Sequence, residues 1–382
     1  MGFHEFSSPY DWSRIAAYKR TAKAAFGGMI DLSVGSPVDP VPDSVRKALA
    51  VAANDPNAYG YPATAGTADL RAAIAEWFSA ARDVDLQAIH ADVVPTVGSK
   101  EGVALMASLL HFGEDDVVVQ PKVSYPTYEI GTQLAGAQVL KVDDVADVAS
   151  WRNVPGVKAV WVNSPCNPTG EVYSAERMAG IVAAAREIGA VVLSDECYAL
   201  MQWRGATNSA DDDPLQSTPC ALRSDVCAGS AEGVLVLYSL SKQSNMAGYR
   251  TAFIAGDESL IASMSAYRKQ IGQIIPGPVQ AAMAAGLRDL ESVKVQHARY
   301  RERLGVLVSA LRAYGYCTDM PDGALYVWVR AKSGDCWTDM EQLAKIGIIA
   351  SPGEFYGAPE CLRFSATASD EAIASAAERL AR

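Results

Sequence analysis

Residues 234–250 read VLVLYSLSKQSNMAGYR and combine an apolar run with a lysine and an arginine eight positions apart. The continuous apolar run Val234–Tyr238 predicts a buried strand that ends just before Lys242 and Arg250. In open α/β sheets, ligands bind at the carboxyl ends of the strands. A lysine amine in that position can form a Schiff base with an aldehyde cofactor. Taken alone, the stretch also fits a solvated surface lysine.

Seven short apolar runs have the continuous, β-branched character of strands in a sheet that is buried on both faces. The predicted strands are Val93–Val97, Val117–Gln120, Ala137–Val142, Val157–Val162, Ala190–Ser194, Val234–Tyr238 and Ala252–Ala255. Helical patterns lie between them at crossover distance, over Lys100–His111, Tyr128–Leu134 and Ser174–Ile188. We therefore predict an α/β fold in which a mostly parallel, seven-stranded sheet lies between helices.

The pattern changes after Pro276-Gly277-Pro278, where a long helical stretch, Val279–Tyr314, follows the alternation of strands and helices. The elements predicted beyond it are a strand at Ala324–Val329, a helix at Trp337–Lys345 and a strand–helix pair over Leu362–Ala381. We predict a large domain at residues 36–275. Residues 1–35, an N-terminal arm, and residues 276–382 would form a smaller α+β domain.

The composition is that of an ordinary globular protein that can bury a large core. The chain has 382 residues, 49% hydrophobic residues and a formal net charge of −11, and its length favours two domains. No apolar run reaches the roughly 18 residues of a membrane span, and no basic cluster indicates nucleic-acid binding. The seven cysteines form no CxxC pair and the four histidines are dispersed, so we expect no metal site. We expect a cytoplasmic location, and the polar segment Asn208–Ser217 is predicted to be a solvated loop.

Three further segments lie in a fixed order around Lys242. They are Asn163–Gly170 (NSPCNPTG), Val191–Tyr198 (VVLSDECY) and Cys361–Ser365 (CLRFS). With the lysine segment they resemble the class I and II aminotransferases of the aspartate aminotransferase type, which depend on pyridoxal phosphate and have the transferase fold called fold type I. The resemblance runs from about Asp31 to the C-terminus.

The resemblance implies pyridoxal 5′-phosphate as the cofactor and assigns its catalytic contacts. Lys242 would hold the cofactor covalently and then act as the base. Asp195 would keep the pyridine nitrogen protonated. Tyr198 and Asn167 would donate hydrogen bonds to the phenolic oxygen. Read alone, Asp195 also fits a helix cap and Asn167 a turn residue.

The resemblance also implies a phosphate site. Its donors would be the backbone of Ser99 and Lys100 at a helix N-terminus and the side chains of Ser239, Ser241 and Arg250. The side chain of Lys100 is expected to point to solvent. Tyr61 resembles a tyrosine that reaches the phosphate of the neighbouring subunit, which implies a homodimer with shared active sites. Tyr61 also fits a surface loop tyrosine.

The remaining predicted contacts are to the ring of the cofactor and to the substrate. Tyr125 resembles the aromatic residue that stacks on the pyridine ring, with Tyr128 as the alternative. Arg363 resembles the arginine that binds the substrate α-carboxylate in a bidentate pair. Gly35 and Asn167 match the segments around the same carboxylate. Gly35 also fits an ordinary turn glycine.

The amino-acid sequences of three segments, 61–71, 123–130 and 238–250, suggest the amino donor. They are similar to actinobacterial N-succinyl-LL-2,6-diaminopimelate aminotransferases. This similarity implies N-succinyl-diaminopimelate and 2-oxoglutarate/glutamate as partners in lysine biosynthesis. Lys122 and Arg268 are candidates to meet a distal carboxylate, and they also fit solvated surface residues.

Three alternatives share these motifs. Another class I aminotransferase, with an aspartate, aromatic or alanine donor, would keep every motif, because side-chain pockets are assembled from loops. A carbon–sulfur lyase of similar fold would need no amino acceptor. A transcription regulator that binds pyridoxal phosphate would add a helix-turn-helix domain, and no basic recognition helix is found in the sequence.

Overall fold

The computed structural model describes residues 10–203 and 218–382, so the predicted loop Asn208–Ser217 lies outside the described residues. The described strands are β1 (Ile30–Asp31), β2 (Ala91–Val97), β3 (Val117–Pro121), β4 (Gln138–Val142), β5 (Val157–Asn163), β6 (Val191–Asp195), β7 (Val234–Ser239), β8 (Thr251–Asp257), β9 (Tyr326–Arg330), β10 (Ile348–Ile349), β11 (Ser351–Pro352) and β12 (Cys361–Ser365). The described α-helices are α1 (Ala16–Ala24), α2 (Asp43–Ala52), α3 (Ala68–Arg82), α4 (Ser99–Leu109), α5 (Thr127–Leu134), α6 (Ala175–Glu187), α7 (Ser224–Cys227), α8 (Leu240–Gln243), α9 (Glu258–Gln270), α10 (Gly277–Arg288), α11 (Leu290–Ala313), α12 (Cys336–Lys345) and α13 (Asp370–Leu380). Short 3-10 helices cover Trp12–Ile15, Val148–Ser150, Ala247–Tyr249 and Gly353–Tyr356.

A seven-stranded sheet with the order β2-β8-β7-β6-β5-β3-β4 forms the larger part of the fold. It contains all seven strands predicted from the sequence. Strand β8 runs antiparallel to β2 and β7, and the remaining pairs are parallel. The register places Asn163 opposite Asp195 and Asp195 opposite Leu237. Because parallel strands end at one edge, the carboxyl ends of β5, β6 and β7 lie along the same edge of the sheet.

Buried side chains form separate cores on the large sheet and around the smaller one. The helices that cover the large sheet bury residues such as Trp77 and Trp151 on one face and Met106 and Trp161 on the other. The smaller sheet, β11-β12-β9, packs with α1, α11, α12 and α13. Residues of the N-terminal segment, Ile15 among them, belong to this smaller core.

The predicted helical stretch Val279–Tyr314 consists of two helices, α10 and α11, that meet at Asp289. The Asp289 carboxylate accepts a hydrogen bond from the backbone N–H of Ser292 at 3.0 Å, which caps the first turn of α11. Helix α10 packs against α2 and α3 and shares the core of the large sheet. The domain division after residue 275 stays a prediction.

The described residues offer neither a metal-binding cluster nor a membrane-spanning helix. Across residues 10–203 and 218–382, no three His, Cys, Asp or Glu side chains are arranged to hold a metal ion. No helix within those ranges is long and apolar enough to cross a bilayer.

Candidate active site

A cavity of about 270 Å³ lies between the carboxyl ends of β5, β6 and β7 and the smaller sheet. It brings together all the predicted site residues except Tyr61. The predicted residues in its lining are Gly35, Ser99, Lys100, Tyr125, Asn167, Asp195, Tyr198, Ser239, Ser241, Lys242, Arg250 and Arg363. Their roles stay predictions, whereas their convergence is a property of the fold.

Lys242 lies on α8, directly after β7. The hydroxyl of Ser239, the last residue of β7, accepts a hydrogen bond from the backbone N–H of Ser241 at 3.1 Å and so starts the helical turn. The ammonium of Lys242 donates to the backbone carbonyl of Gly35. Burial lowers the pKa of Lys242. A neutral amine, which is the form that acts as nucleophile and base, is therefore favoured at this position.

Asp195 ends β6 and is 6% exposed. The hydroxyl of Tyr128 donates to its Oδ2 at 2.8 Å, and the backbone N–H of Cys197 donates to its Oδ1 at 3.1 Å. Burial raises the pKa of Asp195 in spite of these bonds. A buried carboxyl of this kind gains most from a cationic partner, and a protonated ring nitrogen would be one.

The two candidate stacking tyrosines lie in different places. Tyr128 is buried behind Asp195, with its ring stacked on Trp161 at 4.5 Å. Tyr125 lines the cavity, and its ring meets that of Tyr128 edge to face at 5.7 Å. The geometry therefore favours Tyr125 as the residue that faces a bound ring.

The end of the cavity next to the start of α4 is rich in hydrogen-bond donors and positive charge. Gly98, with φ +79°, precedes α4, and a Cβ at this position would collide with the guanidinium of Arg250. The hydroxyls of Ser239 and Ser241 lie 2.8 Å apart. Ser99 and Lys100, the first two residues of α4, line the cavity, and helix N-termini bind anions. A phosphate group fits this arrangement.

Lys100 is exposed, as predicted, and it lies at the edge of the cavity. Its side chain lines the cavity, and its Nζ lies 5.7 Å from the ring centre of Tyr10. Burial, followed by the charge of Arg250, lowers the pKa of Lys100. The side chain of Lys100 is therefore accessible both to solvent and to a ligand in the cavity.

Arg363 lies on β12 and is 4% exposed. Its Nη1 donates to Asn167 Oδ1 and its Nη2 to the carbonyl of Ser33, each at 2.7 Å. The rings of Tyr326 and Tyr356 lie 4.0 and 4.7 Å from its guanidinium carbon. Its Nε is buried without a partner among the described residues. An unpartnered donor on a buried guanidinium fits a carboxylate ligand.

Sequence reasoning assigned no role to several residues that line the cavity, among them Asn163 and Tyr326. Asn163 ends β5, and its side chain donates to the carbonyl of Asp195 at 2.9 Å and accepts from the backbone of Asn167 at 2.8 Å. Its position directly after the predicted strand Val157–Val162 could have pointed to it. Tyr326, on β9, lines the cavity with its hydroxyl 2.7 Å from that of Tyr198. No signal marked Tyr326, because aromatic residues in strands are usual core residues.

Three other candidates lie apart from the cavity of this chain. Tyr61 is fully exposed, at 103%. Lys122 pairs with the exposed Asp143 at 2.9 Å. Arg268 is buried and pairs with both oxygens of Glu101, at 2.9 and 3.1 Å, so it is neither solvated nor directed at a ligand.

Comparisons with known proteins agree with this geometry. A family model described as aminotransferase class I and II matches residues 27–380. The 4-dedimethylamino-4-oxo-anhydrotetracycline transaminase OxyQ of Streptomyces rimosus is 40% identical, over 97% of this chain and 98% of its own. An LL-diaminopimelate aminotransferase of Syntrophobacter fumaroxidans is 29% identical, over 97% of this chain and 95% of its own. A solved structure, a probable N-succinyldiaminopimelate aminotransferase from Thermus thermophilus, has a TM-score of 0.84 at 27% identity and covers 98% of this chain and 99% of that one.

The fold is that of aspartate aminotransferase, since the Thermus thermophilus enzyme with maleate superposes with a TM-score of 0.83 at 24% identity, over 99% of this chain and 97% of that one. The chain belongs to the class I and II aminotransferases. Members of this family use pyridoxal phosphate and act on amino and oxo acids. The cavity fits that cofactor, because it offers an amine, a buried carboxyl and an anion-binding end.

Proposed function

We propose that this aminotransferase moves an amino group between N-succinyl-LL-2,6-diaminopimelate and 2-oxoglutarate, by a ping-pong exchange that yields glutamate, in lysine biosynthesis. The charge of the cavity carries the proposal. Of the described residues that line it, one is acidic, Asp195, whereas Lys100, Lys242, Arg250 and Arg363 are basic. This surplus of positive charge suits a phosphorylated cofactor together with substrates that carry more than one carboxylate.

Lys242 and Asp195 would perform the proton chemistry. Pyridoxal phosphate, when bound, supplies an electron sink for the bond that breaks at the substrate Cα. The neutral amine of Lys242 would remove the proton from that Cα, because burial has already lowered its pKa. Asp195, buried at the end of β6, would keep the ring nitrogen protonated. Tyr198 and Asn167 would donate to the phenolic oxygen.

Substrate orientation would depend on Arg363. Its guanidinium donates to Asn167 and to the carbonyl of Ser33, and its Nε has no partner among the described residues. A bidentate pair with the α-carboxylate would turn the substrate Cα towards Lys242. The backbone of Gly35, which accepts from Lys242, lies beside this position. Tyr125 would cover the ring face.

The choice of donor rests on similarity and on Lys100. Relatives described as acting on diaminopimelate or its N-succinyl form match over nearly the whole chain. Lys100 lines the cavity, so its ammonium is available to a distal carboxylate. We keep the cytoplasmic location as a prediction.

A second donor class has its own support. The tetracycline-pathway transaminase OxyQ is 40% identical, which exceeds the 29% of the diaminopimelate relative. A polycyclic ketone carries no α-carboxylate of the kind that Arg363 would bind. The two candidates therefore differ in whether Arg363 takes part in both half-reactions.

A panel of amino acceptors and donors tests the proposal. The purified holoenzyme is incubated with glutamate and, in turn, with the oxo forms of N-succinyl-diaminopimelate, aspartate, alanine and phenylalanine and with a polycyclic ketone. We expect the highest kcat/KM for the N-succinylated dicarboxylate. A higher value for the polycyclic ketone, or release of ammonia without any acceptor, would contradict the proposal.

The homodimer is part of the proposal, and Tyr61 supports it. Its ring is fully exposed, and the nearby Tyr59 is 89% exposed, which leaves two aromatic side chains for another subunit to cover. Mixing Lys242→Ala with Tyr61→Ala subunits tests shared sites. A hybrid dimer would then hold one site with both changes and one with neither, and random mixing would restore about a quarter of the wild-type activity. Sites built within one chain would restore none.

A further inference from the structure

Tyr326 touches three functional parts of the cavity. Its hydroxyl oxygen lies 2.7 Å from that of Tyr198. Its ring centre lies 4.0 Å from the guanidinium carbon of Arg363. A Cβ on Gly35 would collide with the Tyr326 hydroxyl, so the backbone that accepts from Lys242 packs directly against it. Tyr326 therefore stands between the proposed carboxylate contact and the proposed cofactor contact.

We propose that Tyr326 is a positioning residue, which holds the guanidinium plane of Arg363 through its ring and orients the hydroxyl of Tyr198 through its own hydroxyl. This inference rests on the functions proposed above for those two residues. Its two parts use different atoms of one side chain, so they can be separated by substitution.

The ring acts on Arg363. Asn167 and Ser33 fix two nitrogens of the guanidinium, but hydrogen bonds to two atoms on one side still allow the plane to tilt. An aromatic face at 4.0 Å opposes that tilt and attracts the cation. The carboxylate of a substrate would then meet a guanidinium that is already oriented, which lowers the entropy lost on binding.

The hydroxyl acts on Tyr198. Each tyrosine has one hydroxyl proton, so if Tyr198 donates to a ligand, the bond between the two hydroxyls must be donated by Tyr326. A donor that itself accepts a hydrogen bond is a stronger donor. Burial, followed by the neighbouring Tyr326, raises the pKa of Tyr198 well above its usual value, which keeps it protonated. Tyr326 would thus strengthen the bond from Tyr198 to the phenolic oxygen of the cofactor.

Tyr356 provides a matched comparison. Its ring also lies against Arg363, at 4.7 Å, but its hydroxyl bonds Ser351 at 3.0 Å and not Tyr198. Removing the hydroxyl of Tyr356 therefore deletes a buried hydrogen bond without changing the pair around Tyr198. Tyr316→Phe controls for stability, because the Tyr316 hydroxyl donates to Asp339 at 2.8 Å elsewhere in the smaller core.

The test measures two quantities in the holoenzyme variants Tyr326→Phe, Tyr326→Leu and Tyr356→Phe. The first is the Kd of glutarate, a dicarboxylate without an amino or oxo group that binds and does not react. The second is the pH midpoint of the visible absorbance of the bound cofactor. Thermal unfolding and the affinity of the cofactor-free proteins for pyridoxal phosphate, followed by intrinsic fluorescence, report on folding.

We expect Tyr326→Phe to raise the pH midpoint by up to about one unit, because a weaker bond from Tyr198 leaves more negative charge next to the titrating proton. Its glutarate Kd should stay near the wild-type value. Tyr326→Leu should raise that Kd roughly 2- to 30-fold through loss of the stacked ring. Tyr356→Phe should leave the midpoint in place.

Two results would overturn the inference. One is an unchanged midpoint in Tyr326→Phe, and the other is an unchanged glutarate Kd in Tyr326→Leu. Tyr326→Leu could lose far more thermal stability than Tyr316→Phe, which would indicate a folding defect. The pH midpoint of Tyr326→Phe would then decide whether the inference holds. A glutarate Kd that Arg363→Ala leaves unchanged would instead contradict the proposed function, so the two failures are distinguishable.

Discussion

The two walls of the cavity are built in different ways. On the sheet wall, which consists of Asn163, Asp195, Ser239 and Lys242, each functional group lies within three residues of the end of a strand. On the wall of the smaller core, Arg363 and Tyr326 belong to neighbouring strands, and Arg363 contacts a segment 330 residues away in sequence. The sheet register positions the first wall. Contacts between distant segments position the second.

This difference separates the chemistry from the recognition of substrate. The groups proposed to act on the cofactor are fixed by the central strands, whose side chains are almost fully buried. The groups proposed to bind substrate belong to the wall formed by the smaller core. Changes on the sheet wall should therefore impair cofactor binding, whereas changes on the other wall should leave the cofactor bound and weaken substrate binding.

The largest effect is expected for Lys242→Ala. The variant loses the amine that would hold the cofactor and remove the Cα proton, so kcat should fall by at least about 10⁴-fold. The visible absorbance of the bound cofactor should disappear with it. Absorbance spectra and single-turnover kinetics measure both. Lys100→Ala, which removes another lysine of the cavity, should keep the band; retention of turnover by Lys242→Ala would refute the mechanism.

A buried charge pair behind the sheet wall should matter next. Glu196 directly follows Asp195 in the sequence and pairs with Arg82 at 2.5 Å. The side chains of Arg82 and Glu196 are 0% and 1% exposed. Arg82→Met would leave a buried carboxylate unpaired and lower the free energy of unfolding by about 3–5 kcal/mol. Urea unfolding measures the loss. Arg288→Met removes exposed pairs with Asp69 and Glu76 and should lower the free energy of unfolding much less. Equal losses in the two variants would contradict the prediction.

Arg363→Ala tests the wall of the smaller core. The loss of a buried charge pair with the substrate should raise the KM for glutamate. It should also lower kcat/KM roughly 30- to 5000-fold, which corresponds to about 2–5 kcal/mol of transition-state stabilisation. The cofactor spectrum should persist, in contrast to Lys242→Ala. Steady-state kinetics and absorbance give both values. The exposed Arg330, on the adjacent strand β9, provides the control Arg330→Ala, and an unchanged KM would remove Arg363 from the site.

The strands of the large sheet could be predicted because each one is indicated by the pattern of its own neighbouring residues. A short β-branched run needs no knowledge of distant residues to be recognised, and all seven strands of the large sheet were found in this way. The polar residues at their ends then converge by geometry alone. Lys242 could be placed at the sheet edge on that basis, whereas Asp195 was assigned by the family resemblance. The contact of the Lys242 amine with Gly35 could not be predicted.

The residues that escaped prediction depend on packing between distant segments. Tyr326 has the sequence environment of any core strand residue, and only the meeting of β9 with Tyr198 and Arg363 gives it a site position. The exposure of Lys100 was predicted, whereas the proximity of its Nζ to the ring of Tyr10 was not, because Tyr10 is distant in sequence. The break at Asp289 was missed because residues on both sides of it are helical.

The smallest effect concerns the stability of the cofactor-free protein. Burial lowers the pKa of Lys242 in the folded chain, whereas in the unfolded chain the amine titrates near its usual value of about 10.4. Between these two values the unfolded chain binds one more proton, so the folded state loses stability as the pH falls and the full cost is present below the folded pKa. Lys242→Met removes that cost.

The cofactor-free variant Lys242→Met should therefore unfold at a higher temperature than the wild type. The difference should widen as the pH falls from about 10 towards neutral, and level off below the folded pKa. Thermal scans in a pH series measure it, and Lys23→Met, at the exposed Lys23, controls for loss of a surface lysine. Parallel curves for the wild type and Lys242→Met would mean that the sheet wall holds a solvated amine. In that case burial could not explain how Lys242 becomes neutral. The two walls would then differ only in where their residues lie in the sequence.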